Sequence, residues 1–157
     1  MRLLILLLAL LVASQLTAQT KSRLVPPKAS TLQQRSAASP SVQDPDVQRV
    51  FRSVQEAIAS GSTPVLRGYF GEQVSLNLQR LETGVYSANQ AASILATYFA
   101  PRQPVSFSFS RMSDTGPNPY GTGRLTFLHK GNRESVQVYV SLSRRGSTWV
   151  LSEFTVY

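Results

Sequence analysis

The order in which two hydrophobic periods alternate along this 157-residue chain predicts an α+β fold, with three helices in the N-terminal half packed on a sheet of about six strands. Three observations carry that expectation. Ser87 and Gln90 form a capping box, after which Ala91, Ile94, Leu95, Tyr98 and Phe99 recur on one helical face until Pro101 stops the helix. Upstream, Val47, Val50, Phe51, Val54 and Ile58 keep the same period. Downstream, Val105, Phe107 and Phe109 alternate with serines, and Val136, Val138, Val140 and Leu142 recur at every second position, the signature of half-buried strands.

Taken in order, residues 1–19 read as a secretory leader. Arg2 precedes an apolar run from Leu3 to Val12, about half of what spans a bilayer, and Ala13 to Ala18 offers small residues for cleavage near Ala18 or Gln19. Residues 20–45 are rich in Ser, Gln, Ala and Pro and bury too little apolar surface to offset the entropy of ordering, so they read as a flexible polar tether. The folded domain is expected over 46–157. Its first helix has Asp44 or Asp46 as cap and Gly61 as stop. A short second helix is expected from Thr63-Pro64 through Val65, Leu66, Tyr69 and Phe70 to Gly71.

Val74, Leu76 and Leu78 then form a strand whose partner, Thr83 to Tyr86, leads into the Ser87-capped helix. Four strands follow. Leu125 and Phe127 share a face of the second of these, and Lys130-Gly131-Asn132 supplies a turn that tolerates positive φ. In the last strand Trp149 and Leu151 have one phase and Phe154 and Val156 the other, which predicts a β-bulge near Ser152 and Glu153.

Composition narrows the function classes. No cysteine is present, so neither disulfides nor thiolate chemistry contribute. Sixteen Lys and Arg against eight Asp and Glu give a net charge of +8, but the basic residues are spread along the chain without a cluster interleaved with aromatics, which argues against nucleic acid as partner. The single histidine, His129, sits at a hairpin mouth and reads as a turn residue. It brings no second histidine with which to build a zinc site, and no cofactor motif is present. Gly121-Thr122-Gly123 lacks the third glycine and following helix of a dinucleotide loop, and reads as backbone accommodation within a strand.

Certain residues also carry a resemblance. They are Ala57-Ile58 and Gly61, Tyr69-Phe70 before Val74 to Leu76, Tyr86-Ser87 with Gln90-Ala91, Phe99 to Pro101, Tyr120 to Gly123 before Leu125, Val136 to Val140, and Trp149 to Val156. Across roughly residues 47–157 the chain resembles an exported bacterial domain-of-unknown-function family, number 4783. Its element order looks like the cone-shaped nuclear-transport-factor-like fold shared with ketosteroid isomerases. The resemblance implies a strongly curved antiparallel sheet and an exported, periplasmic or secreted address, and it implies no activity.

Within such a cone, Tyr69, Tyr98, Phe99, Phe107, Phe109 and Trp149 read either as core or as the lining of a cleft for an apolar small molecule or an envelope protein. An isomerase-like acid–base site would need a buried carboxylate beside a tyrosine, for which Asp114 with Tyr120, or Glu153 with Tyr139, are the candidate pairs. A third reading places a homodimer or partner contact on the outer sheet face, around Leu128 and Tyr139. The leading expectation is a non-enzymatic exported binding domain, without cofactor or metal and with no membrane contact once the leader is removed.

Overall fold

The computed structural model describes residues 44–79 and 81–157; the expected leader and all of the expected tether except Asp44 and Pro45 lie outside them. The first helix, α1, spans Pro45–Ala59. Asp44 caps it by accepting the Asp46 N–H at 2.9 Å, and Pro45 takes the first helical position, where its missing N–H has no partner to lose. Val47, Phe51, Val54, Ala57 and Ile58 form its buried stripe, and Gly61 follows in the left-handed region at φ +65°.

The second helix, α2, is shorter than expected. It covers Thr63–Arg67 with Ser62 as its cap residue, and Phe70 and Gly71 already belong to the first strand, β1 (Phe70–Leu78). The reason is tertiary. The Leu151 N–H donates to the Tyr69 carbonyl at 2.6 Å, and Phe70 pairs with Leu151, so the sheet claims residues whose spacing alone suits a helix.

The second strand, β2 (Thr83–Ser87), pairs antiparallel with β1 and feeds α3 (Ala88–Phe99). The capping box forms as expected: the Ser87 hydroxyl accepts the Gln90 N–H at 3.4 Å, and the Gln90 side chain accepts the Ser87 N–H at 3.1 Å. Ala91, Leu95, Tyr98 and Phe99 are buried. Four strands complete the chain: β3 (Arg102–Ser113), β4 (Tyr120–His129), β5 (Asn132–Arg145) and β6 (Thr148–Val156).

These strands make one open sheet in the order β2-β1-β6-β5-β4-β3. It is mixed rather than wholly antiparallel, because β1 runs parallel to β6. Alternation along a strand says which face is buried but not which way the neighbour runs. Here α3 carries the chain back, so β3 repeats the direction of β2. Three antiparallel reversals from β3 then leave β6 aligned with β1.

The expected bulge is present. Ser141 pairs with Glu153 and Leu142 with Leu151, which leaves Ser152 as the extra residue and brings Leu151, Phe154 and Val156 all into the core. Strand β3 carries two similar irregularities, near Val105 and Ser110. The first turns Val105 outward, so that it is 42% exposed although the sequence places it in phase with Phe107.

The core is one cluster between the helices and the inner sheet face, with Phe51, Phe127, Phe154, Leu95 and Leu125 among its fully buried side chains. Burial of each such side chain is worth about 1.5–3 kcal/mol. Two glycines of β4 let β3 lie close. A Cβ on Gly121 would meet the Phe109 ring at 2.8 Å, and one on Gly123 would meet the Ser108 carbonyl oxygen at 2.4 Å and the Phe107 ring at 2.7 Å. Phe109 is in turn held edge-on by Phe51 at 5.4 Å, and its N–H donates to the Gln55 side chain at 3.2 Å, which covers part of an edge strand.

Two outcomes follow from these contacts. Gly123→Ala forces backbone apart and is expected to destabilise the domain by about 2 kcal/mol or more in urea unfolding. The second concerns Asp44, which also accepts the Trp149 indole N–H at 3.0 Å. This bond first, and the Asp46 N–H second, hold its carboxyl below the ordinary carboxylate range. A depressed carboxyl stabilises the fold fully above its unfolded value near pH 4 and stops doing so as pH falls through the folded one. The stability gap between wild type and Asp44→Asn should therefore close on acidification, and the emission of Trp149, the single tryptophan, should shift over the same range.

Candidate functional site

Where α3 passes the β1–β2 hairpin, the helices and sheet leave an open hollow of about 390 Å³ lined by Leu78, Leu81, Glu82, Ile94, Thr97, Tyr98 and Arg102. Its floor and walls come from three elements. Leu78 ends β1, and the turn after it is closed by the Leu78 N–H donating to the Glu82 carbonyl at 2.8 Å. That turn presents Leu81, which is 60% exposed, and Glu82. The last turns of α3 supply Ile94, Thr97 and Tyr98, spaced so that they share one side of the helix. Arg102, the first residue of β3, closes the far end.

Two polar arrangements frame this apolar space. Tyr86 lies back along β2 over Gly84, where a Cβ would sit 2.8 Å from its hydroxyl oxygen, and its hydroxyl donates to the Glu82 carboxylate. That hydrogen bond first, with desolvation and the Glu82 charge behind it, raises the Tyr86 phenol above its ordinary value. On the other side the Arg102 guanidinium lies 4.2 Å from the centre of the Tyr98 ring, and its Nη1 donates to the Tyr98 carbonyl at 2.9 Å. This spends one of the five donors of Arg102 and leaves the fork able to take an acceptor. A carboxylate and a guanidinium thus stand at the margins of a mainly aliphatic and aromatic wall.

Tyr98 is itself buried, and its hydroxyl makes no hydrogen bond among the described residues. Burial raises its phenol above the ordinary value, partly opposed by Arg102 and reinforced by Glu134. An unpaired buried hydroxyl costs about 1–3 kcal/mol.

The six aromatics expected to line a cleft are spread over the domain. Tyr98 borders the hollow just described; Phe99 borders a separate one with Ser60, Thr63, Gln103 and Pro104. Phe107 is buried against Phe109, edge-on at 4.9 Å, and Phe109 reaches a smaller hollow of about 200 Å³ beside Gln48, Arg52 and Met112. Tyr69 and Trp149 come together in a hollow of about 380 Å³ near the β5–β6 turn. Glu82, Ile94 and Arg102 were not among the sequence candidates; the spacing of Arg102 four residues after Tyr98 was the available signal.

The acid–base pairs fare differently from what such chemistry asks. Among the described residues no Asp or Glu is buried. Asp114 accepts a hydrogen bond from the Gln48 side chain at 3.1 Å, while Tyr120 stacks on Tyr139 with ring centres 5.8 Å apart. Glu153 accepts the Thr155 hydroxyl at 3.2 Å. His129 is partly covered, with Nδ1 3.4 Å from Glu134, and among the described residues no group of three or more His, Asp or Glu converges on a metal-sized space.

Removing the unpartnered phenol oxygen is a direct check on this geometry. Tyr98→Phe deletes no hydrogen bond and should leave unfolding free energy unchanged or raise it by about 1 kcal/mol; a clear loss in chemical denaturation would mean that the hydroxyl is bonded.

Comparison with known proteins agrees with this architecture. A crystal structure of a DUF4783 family protein from Bacteroides uniformis superimposes with a TM-score of 0.61 at 17% identity, covering 67% of this chain and 93% of that one. A second, from Bacteroides fragilis, gives 0.59 at 18% identity over 66% and 93%. A hypothetical protein with a ketosteroid isomerase-like fold from Catenulispora acidiphila, solved in complex with trimethylamine, gives 0.56 at 13% identity over 72% and 85%. At these identities the likeness shows the fold alone. No curated protein matches the chain. The likeness to solved structures gives a nuclear-transport-factor-like α+β fold, and the sequence pattern named Domain of unknown function (DUF4783) matches residues 51–156, so the chain belongs to that family.

Proposed function

We propose that this is an exported, non-catalytic binding domain that takes a small, largely apolar molecule with an anionic or carbonyl head in the hollow between α3 and the β1–β2 hairpin. The observation that carries the reading is the lining of that hollow. Leu78, Leu81, Ile94 and the Tyr98 ring supply apolar wall, and Arg102 supplies a charged donor at its end. A concavity of about 390 Å³ lies at the lower end of the range in which small-ligand sites fall, and a mainly apolar wall with few polar tips is their usual composition. Glu82 opposes a second negative charge at the hairpin end, which orients an anionic head toward Arg102. The exported address is supported by the apolar run from Leu3 to Val12 behind Arg2.

Anilinonaphthalene sulfonate, an apolar ring system with one anionic group, is a suitable probe. It should bind the native domain with enhanced fluorescence. Ile94→Trp, which fills the hollow from a half-buried helical position, should abolish the signal, and Arg102→Gln should weaken binding by about tenfold or more. Equal binding by native protein and both variants, at unchanged melting temperature, would place the probe elsewhere and remove this reading.

A further inference from the structure

The outer face of the sheet carries a second feature that the hollow does not use. Cross-strand partners in β3, β4 and β5, which share a face, define it. Arg111 pairs with Thr122 and Thr122 with Tyr139, Ser108 with Arg124 and Arg124 with Gln137, and Leu128 with Arg133. All three arginines are exposed, and each comes from a different strand. Read along β4, they stand at the levels of residues 122, 124 and 128. With strands about 4.8 Å apart and about 3.4 Å per residue, they form a diagonal line about 23 Å long. No Asp or Glu points to this side from these three strands, since Glu134 pairs with the buried Phe127 and so shares the inner face. Around the arginines the face is paved with short hydroxyl side chains, and at one end Tyr120 and Tyr139 stack with an interplanar angle of 24°.

We propose that this outer face of β3–β5 is a docking surface for an anionic polysaccharide strand, with Arg111, Arg124 and Arg133 engaging its acidic groups and the Ser, Thr and Gln137 side chains its hydroxyls. Charge complementarity selects the occupant. Every cation on the face is arginine, whose planar fork takes carboxylate or sulfate oxygens in pairs. Dense short hydroxyls match the hydrogen-bonding surface of a sugar chain. Other occupants fit less well. An anionic bilayer asks for a cluster of apolar side chains to insert, whereas this side of β3–β5 offers Leu128 and, at the β3 bulge, Val105, each a single exposed aliphatic side chain on a different strand. Single-stranded nucleic acid asks for free aromatic platforms, whereas Tyr120 and Tyr139 are half-buried and cover each other. A two-fold contact with a second copy sets this patch against itself, arginines toward arginines.

The experiment is retention of the purified domain on immobilised polygalacturonate and dextran sulfate, with neutral dextran as reference. Binding to the acidic polymers and not to dextran is expected. It should weaken about tenfold or more between about 0.01 M and about 0.15 M ionic strength, as the screening length falls from about 30 to about 8 Å. The triple variant Arg111→Gln, Arg124→Gln, Arg133→Gln should lose at least about tenfold in affinity while keeping its melting temperature; if it fails to fold, the three single variants are measured instead, and each should weaken binding. Retention that is equal on dextran, or untouched by these substitutions, overturns the proposal. So does tighter binding of oligothymidylate or phosphatidylglycerol vesicles through the same arginines, or self-association that the variant abolishes. Anilinonaphthalene sulfonate binding in the hollow is read separately, so either site can fail alone.

Discussion

The parallel pairing of β1 with β6 joins a two-stranded hairpin to a four-stranded meander, and the rest of the domain depends on that seam. Ser75 through Leu78 align with Glu153 through Val156, which places Leu76 and Leu78 beside Phe154 and Val156 on one continuous apolar face. An isolated hairpin is marginal in water, whereas a sheet with one apolar face and helices to cover it is stable. The seam exists because α3 reverses the chain between β2 and β3. The Ser87–Gln90 cap therefore does more than start a helix, since it marks where the chain leaves one half of the sheet to begin the other.

The covering helices set where space remains. α1 lies across β3, with Phe51 against Phe109 and Gln55 bonded to the strand, and closes that side. α3 covers the sheet next to β1 but diverges from the hairpin at Leu78, so a hollow opens between the Tyr98 end of the helix and the Glu82 turn. Its charged groups are held in place from behind. The Tyr86 hydroxyl anchors Glu82, and the Tyr98 carbonyl and ring hold Arg102. Such preorganisation reduces the ordering that a ligand must impose on the side chains that meet it.

The strict alternation that fills the inner face also makes the outer one. Wherever Leu125, Phe127, Val138 or Val140 points inward, its neighbours Arg124, Thr126, Gln137 and Tyr139 point out. Bulges at Val105, Ser110 and Ser152 keep this partition intact where strands bend, by inserting a residue rather than exposing the next core side chain. The two faces are therefore chemically separate, one aliphatic and aromatic, the other hydroxylated and basic.

What the sequence by itself determined is what short-range physics controls. A cap at Asp44 or Asp46, the capping box at Ser87, the helical stripes of α1 and α3, the alternation of β5, the turn at Lys130-Gly131 and a bulge near Ser152 and Glu153 are all local periods or local backbone preferences. Recognisable motifs also led from these to the family and the fold. Only the tertiary structure decided the rest. Phe70 went to a strand because Leu151, far along the chain, pairs with it; Val105 turned outward because β4 sets the register. The six aromatics parted into core and several surface hollows because burial depends on what lies opposite, and periodicity carries no record of that. Glu82 and Arg102 met across one hollow for the same reason: they are neighbours only after α3 has folded back on the sheet.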